Sequence, residues 1–375
     1  MVDVAIIGGG VIGLSIAWKA AEAGMSVTVL DPGVEGAASS AAAGMLAPVT
    51  EAHFGEEPLL ALNLASARAY PRFAAELEEA SGKPSGYRAT GTLAVARDLD
   101  DQAALDRLAR FQTSAGLQVE RLRSRECRVL EPGLASSIRG GVFVRDDHQV
   151  DNRALLIALH AACERLGVVA RRDAVRRITV EGDRVTGVDM DGGEHLRCGR
   201  CVLAAGAWSS LVGGLPDDVK SAVRPVKGQL LHLNGAPEAV PQHTIRGADV
   251  YMVPRGDGRL VIGATIEEKG FDTSVVAGAV HDLLRDAYEL YPGVAELELS
   301  EVAVGLRPGT PDNAPLLGET HIRDLIAATG HYRNGILLAP VTARTIAHLL
   351  SRGETPPEIH AFSPQRFGSA REVVS

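Results

Sequence analysis

Two arginines set beside glycines, Arg307 two residues after Gly305 and Arg333 between Gly330 and Gly335, are the groups in this chain best suited to gripping a small anion. A guanidinium is a planar fork that meets a carboxylate with two parallel hydrogen bonds and keeps its charge at any relevant pH. In Val302-Ala303-Val304-Gly305-Leu306-Arg307, strand alternation puts Ala303, Gly305 and Arg307 on one face, a shallow floor ending in a cation. The ordinary alternative for either arginine is an ion pair. Tyr251, at the head of Tyr251-Met252-Val253-Pro254, offers a phenolic hydrogen bond to the same anion, or serves as a core tyrosine. His331 offers an imidazole, but a loop histidine more often bonds backbone, so no acid or base is assigned to the reaction.

The chain shows no serine-histidine-acid set, no metal-ligand spacing and no catalytic cysteine. Cys198-Gly199-Arg200-Cys201 lacks a second pair and runs into the apolar Val202-Leu203-Ala204-Ala205, so it reads as buried thiols. The hard chemistry therefore falls to a cofactor. A flavin suits that deficit, because its N5 accepts a hydride from the α carbon of a bound amino acid while the protein orients the substrate.

The elements that position these groups begin at the first residues. Val4-Ala5-Ile6-Ile7 is a short apolar strand entering Gly8-Gly9-Gly10-Val11-Ile12-Gly13, and a helix follows to Gly24. Gly8 permits the tight turn, Gly10 lets backbone approach a pyrophosphate, and Gly13 lets helix and strand pack closely. A second strand, Val27-Thr28-Val29-Leu30, ends in Asp31 about twenty residues further on, where a carboxylate holds adenosine ribose hydroxyls and repels a phosphorylated ribose. The pattern favours FAD or NAD over NADP.

The tract 36–48 is built of small residues, among them Ala38, Ser39, Ala43, Gly44 and Met45, and invites close approach by a flat ring or a phosphate. Helical spacing appears from about Pro58 to Gly82, from Asp101 to Gly116 and, after an Asp151 cap, to Gly167. Between about Val223 and Leu306 the pattern alternates as in antiparallel strands, and a helix is expected between Ser274 and Tyr291. Leu325–Gly330 reads as a buried strand and Gly335–Ala343 as a helix start, so the nucleotide domain is expected to be discontinuous.

The formal net charge is −9 over 375 residues, and no basic tract is interleaved with aromatics, which argues against nucleic acid as a partner. Arg121-Leu122-Arg123-Ser124-Arg125 and Arg171-Arg172 read as solvated faces. With no positive leader region and no apolar span, a cytoplasmic location and no membrane span are expected.

Three stretches carry a family resemblance: Ser40–Ala47, Gly305-Leu306-Arg307-Pro308-Gly309-Thr310-Pro311-Asp312, and Gly330-His331-Tyr332-Arg333-Asn334-Gly335-Ile336-Leu337-Leu338-Ala339-Pro340. Together they make the chain similar, over nearly all its length, to the D-amino-acid oxidase superfamily of FAD-dependent amine oxidases, and within it to the glycine-oxidising branch linked to thiazole formation. The resemblance implies an α/β fold, α+β overall. Residues 1–83, 145–222 and 305–365 would form a discontinuous Rossmann-like FAD-binding domain. Residues 84–144 and 223–304 would form an antiparallel-sheet substrate domain, with 366–375 as a tail.

It further implies that Val11 and Ile12 meet the pyrophosphate, Asp31 and Pro32 the adenosine, and Val175 the adenine region. Ala38, Ser39, Ala43, Gly44 and Met45 would line the flavin side, with His331, Tyr332, Arg333, Asn334, Gly335, Ile336 and Leu337 at the isoalloxazine end. Arg307 becomes the carboxylate anchor, Tyr251 its neighbour and Arg333 a second substrate-side residue. Related sarcosine oxidases carry a flavin-linking cysteine where Gly305 falls here, so the FAD is expected to be noncovalent. A small amino acid and oxygen are the implied partners, and a homotetramer the implied assembly. Asp249 and Ile266 depart from the residues familiar near the amine end, which leaves glycine, sarcosine and small D-amino acids as substrates. A dehydrogenase with another electron acceptor and a non-catalytic flavin module are the alternatives.

Overall fold

Val4 to Ile7 are all buried because β1 (Val2–Ile7) lies between two parallel neighbours, Val27–Leu30 (β2) and His195–Leu203. A strand covered on both faces shows a continuous apolar run rather than alternation. Leu325–Thr329 continues the parallel sheet beyond His195–Leu203, and Val169–Arg171 beyond β2. Antiparallel additions complete its eight strands: Leu316–Glu319 pairs with Leu325–Thr329, and the hairpin Val175–Glu181 with Arg184–Met190 extends from the start of His195–Leu203. The computed structural model describes residues 1–371, with side chains placed through Phe367.

Helices Val11–Glu22 (α1), Glu57–Ser81, Asn152–Arg165 and Gly335–Arg352 cover one face and share a core with Leu14, Trp18, Phe73, Leu159, Leu338 and Ile346. Trp18 and Phe73 meet edge to face at 5.3 Å between centroids. Burial on nearly every side explains why α1 is apolar all round. The helix expected from Pro58 to Gly82 is Glu57–Ser81, stopped by Gly82 with φ 65°, and Asp151 caps Asn152–Arg165 through the amides of Arg153 and Ala154.

The second sheet also has eight strands, in the order Glu298–Gly309, Arg224–Asn234, Arg259–Gly263, Tyr251–Pro254, Thr244–Arg246, Thr92–Ala96, Gly140–Val144 and Glu120–Arg123. All neighbours are antiparallel except Thr244–Arg246 beside Thr92–Ala96. The helix anticipated near Ser274–Tyr291 is Ala277–Leu290, and its Leu283, Ala287 and Leu290 join the core of this sheet. A three-stranded sheet of Met45–Leu46, His148–Val150 and Tyr87–Arg88 completes the strand pairing.

Sequence patterning did not single out Thr92–Ala96 or Gly140–Val144. Thr92-Leu93-Ala94-Val95-Ala96 is buried at all five positions, so it lacks the alternation that announces a half-exposed strand. The arginines of 121–125 begin on an edge strand, Glu120–Arg123, where charge blunts unwanted pairing. Residue 305 falls inside the strand Glu298–Gly309, which runs unbroken in the antiparallel sheet. Of the tail 366–375, residues to Arg371 lie in turns that begin at Pro364, and 372–375 lie outside the described residues. All four cysteines are free and buried, and burial pushes Cys127 and Cys198 up to about 11 and Cys163 up to about 12, which leaves them unreactive thiols. Among the described residues no helix is long and apolar enough to cross a membrane.

Candidate active site

A cavity of about 1170 Å³ runs from the β1–α1 turn, past the small-residue tract 37–45, to a floor made by the antiparallel sheet. Its first end is shaped by missing side chains. Gly8 holds φ 108°, and a Cβ there would strike the Ala204 carbonyl; a Cβ on Gly13 would strike the carbonyl of Gly8. Backbone therefore approaches backbone, and the start of α1 faces the cavity with its positive dipole end. Gly10, the N-cap, gives no side-chain cap; instead Ser39 Oγ accepts the Val11 N–H at 3.0 Å. At the end of β2, the Asp31 carboxylate accepts from Gly9 N–H and, at 2.7 Å, from Gly33 N–H.

The small tract has a packing reason as well as an access reason. Ala37 bridges to Leu306, and a Cβ on Gly305 would come within 2.9 Å of the Ala41 methyl. Larger residues on either side would part the tract from the strand that carries Arg307.

At the far end two polar side chains lie flat over glycines of neighbouring strands. Tyr251 stands opposite Gly263, whose Cβ would meet the phenol oxygen at 2.6 Å, and the Arg307 guanidinium covers Gly228. Arg307 Nη1 donates to the carbonyls of Thr265 at 3.0 Å and Lys227 at 3.4 Å, which fixes the plane of the fork. Burial pushes the Tyr251 phenol up and the Arg307 charge pulls it back, so the hydroxyl stays a donor.

The other two arginines at this end are already paired: Arg333 Nη2 with Glu56 Oε2 at 3.1 Å, and Arg246 Nη1 with Glu51 Oε1 at 2.6 Å. Arg307 has no carboxylate within salt-bridge distance among the described residues. The Nε of Arg333 is buried with no partner among the described residues. Asp249 sits at the rim, mostly exposed and 3.6 Å from Arg97. Ile266, also on the wall, is 69% exposed.

The cavity wall includes Gly8, Gly10, Val11, Ile12, Asp31, Pro32, Ala38, Ser39, Ala43, Gly44, Met45, Val175, Tyr251, Arg307, His331, Tyr332, Arg333, Gly335 and Ile336. Three sequence-stretch neighbours do not line it. Gly13 acts from behind through helix packing, while Asn334 and Leu337 are buried, Leu337 in the helical core. Glu51, His53 and Arg246, which line the cavity, and Glu56, which pairs with Arg333, carried no motif signal; Glu51 and Glu56 find their arginines far away in the chain.

His331 is fully enclosed, its Nε2 3.1 Å from Thr342 Oγ1, and burial holds its imidazole down to about 3. It is neutral at working pH and hydrogen-bonded to a hydroxyl. Between its folded value and the ordinary 6.5 the unfolded chain binds the proton that folded His331 refuses, so stability rises with pH across that window and is lost as pH falls. His331→Gln is expected to flatten the difference in urea midpoint between about pH 5 and about pH 7. An unchanged difference would remove His331 from the acid sensitivity of the fold.

The residues present fit a flavin dinucleotide. Glycines close the first end, the helix start faces a pyrophosphate position, Asp31 faces a ribose position, and the cavity is long enough to continue to the sheet floor. A family described as FAD dependent oxidoreductase matches residues 3–349. The chain belongs to this FAD-dependent oxidoreductase family. Among relatives, it is 35% identical to a glycine oxidase of Geobacillus kaustophilus over 97% of both chains. It is 40% identical to the bifunctional protein ThiO/ThiG of Synechocystis sp. over 97% of this chain and 54% of that protein. The chain thus spans about half the length of the first curated relatives it matches. The crystal structure of glycine oxidase from Geobacillus kaustophilus superposes with a TM-score of 0.90 at 36% identity, covering 97% of this chain and 98% of that one. That of iminodiacetate oxidase from Chelativorans sp. does so at 0.86 and 28% identity, covering 96% and 98%. Family membership makes FAD the cofactor.

Proposed function

We propose that this flavoenzyme oxidises glycine, with sarcosine and small D-amino acids as weaker substrates, and that oxygen takes the electrons. The observation that carries this reading is that, among the described residues, Arg307 has no carboxylate partner at this end: it is set over Gly228 and held in plane by two carbonyls beside the Tyr251 phenol. When bound, the flavin supplies a two-electron acceptor for the C–H bond of the substrate.

The chain's own residues bind and orient. Arg307 takes the carboxylate through its free donors, Tyr251 adds a hydroxyl bond, and Arg333 lines the same cavity as a second cation. That grip turns the α carbon toward the small-residue side, where Ala41, Ala43 and Gly44 leave room for a planar ring. No side chain at this end is required as a base, since the neutral amine form of the substrate can deliver electrons without one. The product imine hydrolyses to glyoxylate and ammonia or is captured for thiazole formation, and reduced oxygen leaves as hydrogen peroxide. We place the enzyme in the cytoplasm as a homo-oligomer, by likeness to its relatives.

Anaerobic titration with glycine, sarcosine and D-alanine tests the proposal: loss of oxidised-flavin absorbance is expected, strongest with glycine. Bleaching by none of the three would overturn it. Peroxide formation on admitting air then distinguishes an oxidase from a dehydrogenase. The FAD is expected to be noncovalent, so denaturation and precipitation should release the yellow colour to the supernatant. Colour retained in the pellet would show a covalent link.

A further inference from the structure

Asp147 is fully buried in the turn between Gly140–Val144 and His148–Val150. Among the described residues it has no cationic partner, and burial pushes the carboxyl up to about 7. Three donors from one short turn hold it: Val49 N–H at 3.1 Å, Thr50 N–H at 2.6 Å and the Thr50 hydroxyl at 2.7 Å. The same turn is gripped a second time, where buried Gln112 donates Nε2 to the Val49 carbonyl at 2.7 Å. A buried carboxylate without a cation is costly to fold in, so a site that spends one on a loop is fixing that loop's place.

What the turn carries is the substrate end of the cavity. One residue beyond Thr50, Glu51 holds Arg246; a few further, Glu56 holds Arg333 and also accepts from Asn313 Nδ2 at 3.0 Å. Arg246 is directly opposite Tyr251 in the strand register, and Arg333 lines the same cavity as Arg307. Asp147 touches none of these groups. Its hydrogen bonds reach them through the turn, and the nearby Glu51 charge adds to the upward push on its carboxyl.

We propose that Asp147 is a positioning residue for substrate recognition, fixing the Val49–Thr50 turn so that Glu51 and Glu56 set Arg246 and Arg333 around the Arg307 anchor. The inference rests on the reading of that end as the substrate site.

Asp147→Asn preserves size but replaces an acceptor with a donor facing the turn. The holoenzyme variant is expected to show glycolate affinity, read from the flavin spectrum, and glycine KM both weakened by about tenfold or more, with FAD affinity unchanged. Amide exchange at Val49 and Thr50 should quicken in the same protein. Thr50→Val, which removes only the hydroxyl donor, should move glycolate affinity the same way by less, and Thr50→Ser should restore it. If Asp147→Asn does not fold, the contrast between Thr50→Val and Thr50→Ser decides the matter. Faster exchange with unchanged glycolate affinity and unchanged KM overturns the proposal, as does wild-type behaviour of Thr50→Val. Failure of the wild-type holoenzyme to bind glycolate or to be reduced by glycine removes the premise; the exchange data then report only on the turn.

Discussion

Arg307→Ala is expected to weaken binding of glycine and of small carboxylate inhibitors by about 2–5 kcal/mol, the loss that follows when one partner of a partly desolvated charge pair is removed. The size follows from its surroundings. Arg333 and Arg246 have their charge met by Glu56 and Glu51, whereas Arg307 meets only two carbonyls on one nitrogen. Arg333→Ala should therefore cost less in ligand affinity than Arg307→Ala and should also leave Glu56 without its cation, bonded only by Asn313. Arg307→Lys should not restore binding, because an ammonium cannot present a planar fork across Gly228. Titration of each holoenzyme with glycolate, followed by flavin absorbance, checks the order. Equal affinity for Arg307→Ala and the wild type would remove Arg307 from the site.

Gly13→Ala is expected to destabilise the holoenzyme by about 3 kcal/mol or more, at the upper end of what overpacking costs, and to strip it of FAD. The added methyl meets a backbone carbonyl, that of Gly8, which cannot swing away as a flexible side chain can. Relief requires α1 to shift from β1, and that carries the helix start away from the pyrophosphate position. Gly278→Ala provides the contrast. It stands near the start of Ala277–Leu290 with nothing within 4 Å of its new Cβ, and it should leave stability unchanged or raised. Denaturant midpoints and the ratio of flavin to protein absorbance read both effects. A Gly13→Ala protein that retains full FAD and wild-type stability would refute the close-packing account.

How much of this was legible in the chain depends on whether a residue's task is local. The glycines of the first turn, Asp31 at the end of the next strand and the arginine after Gly305 are spaced by a single turn or strand, so their spacing carries their geometry. Glu51 and Arg246 meet across 195 positions, and Glu56 and Arg333 across 277. Nothing in either neighbourhood marks the partner. Arg333 is the clearest instance: its glycine-rich loop announced a cation at the site, but only the fold shows that a glutamate has already taken its charge. Asp147 was equally silent, because a carboxylate in a tight turn is ordinary until its burial is known. The strands Thr92–Ala96 and Gly140–Val144 were hidden for the opposite reason, being so completely covered that no polar residue breaks the run.

The unmatched charge on Arg307 also bears on the end of turnover. On the proposed reading, oxidation at the α carbon leaves the carboxylate intact, so glyoxylate would depart from the same fork that captures glycine. An anchor too strong would hold product as firmly as substrate. Small keto acids should therefore compete with glycine for the free enzyme.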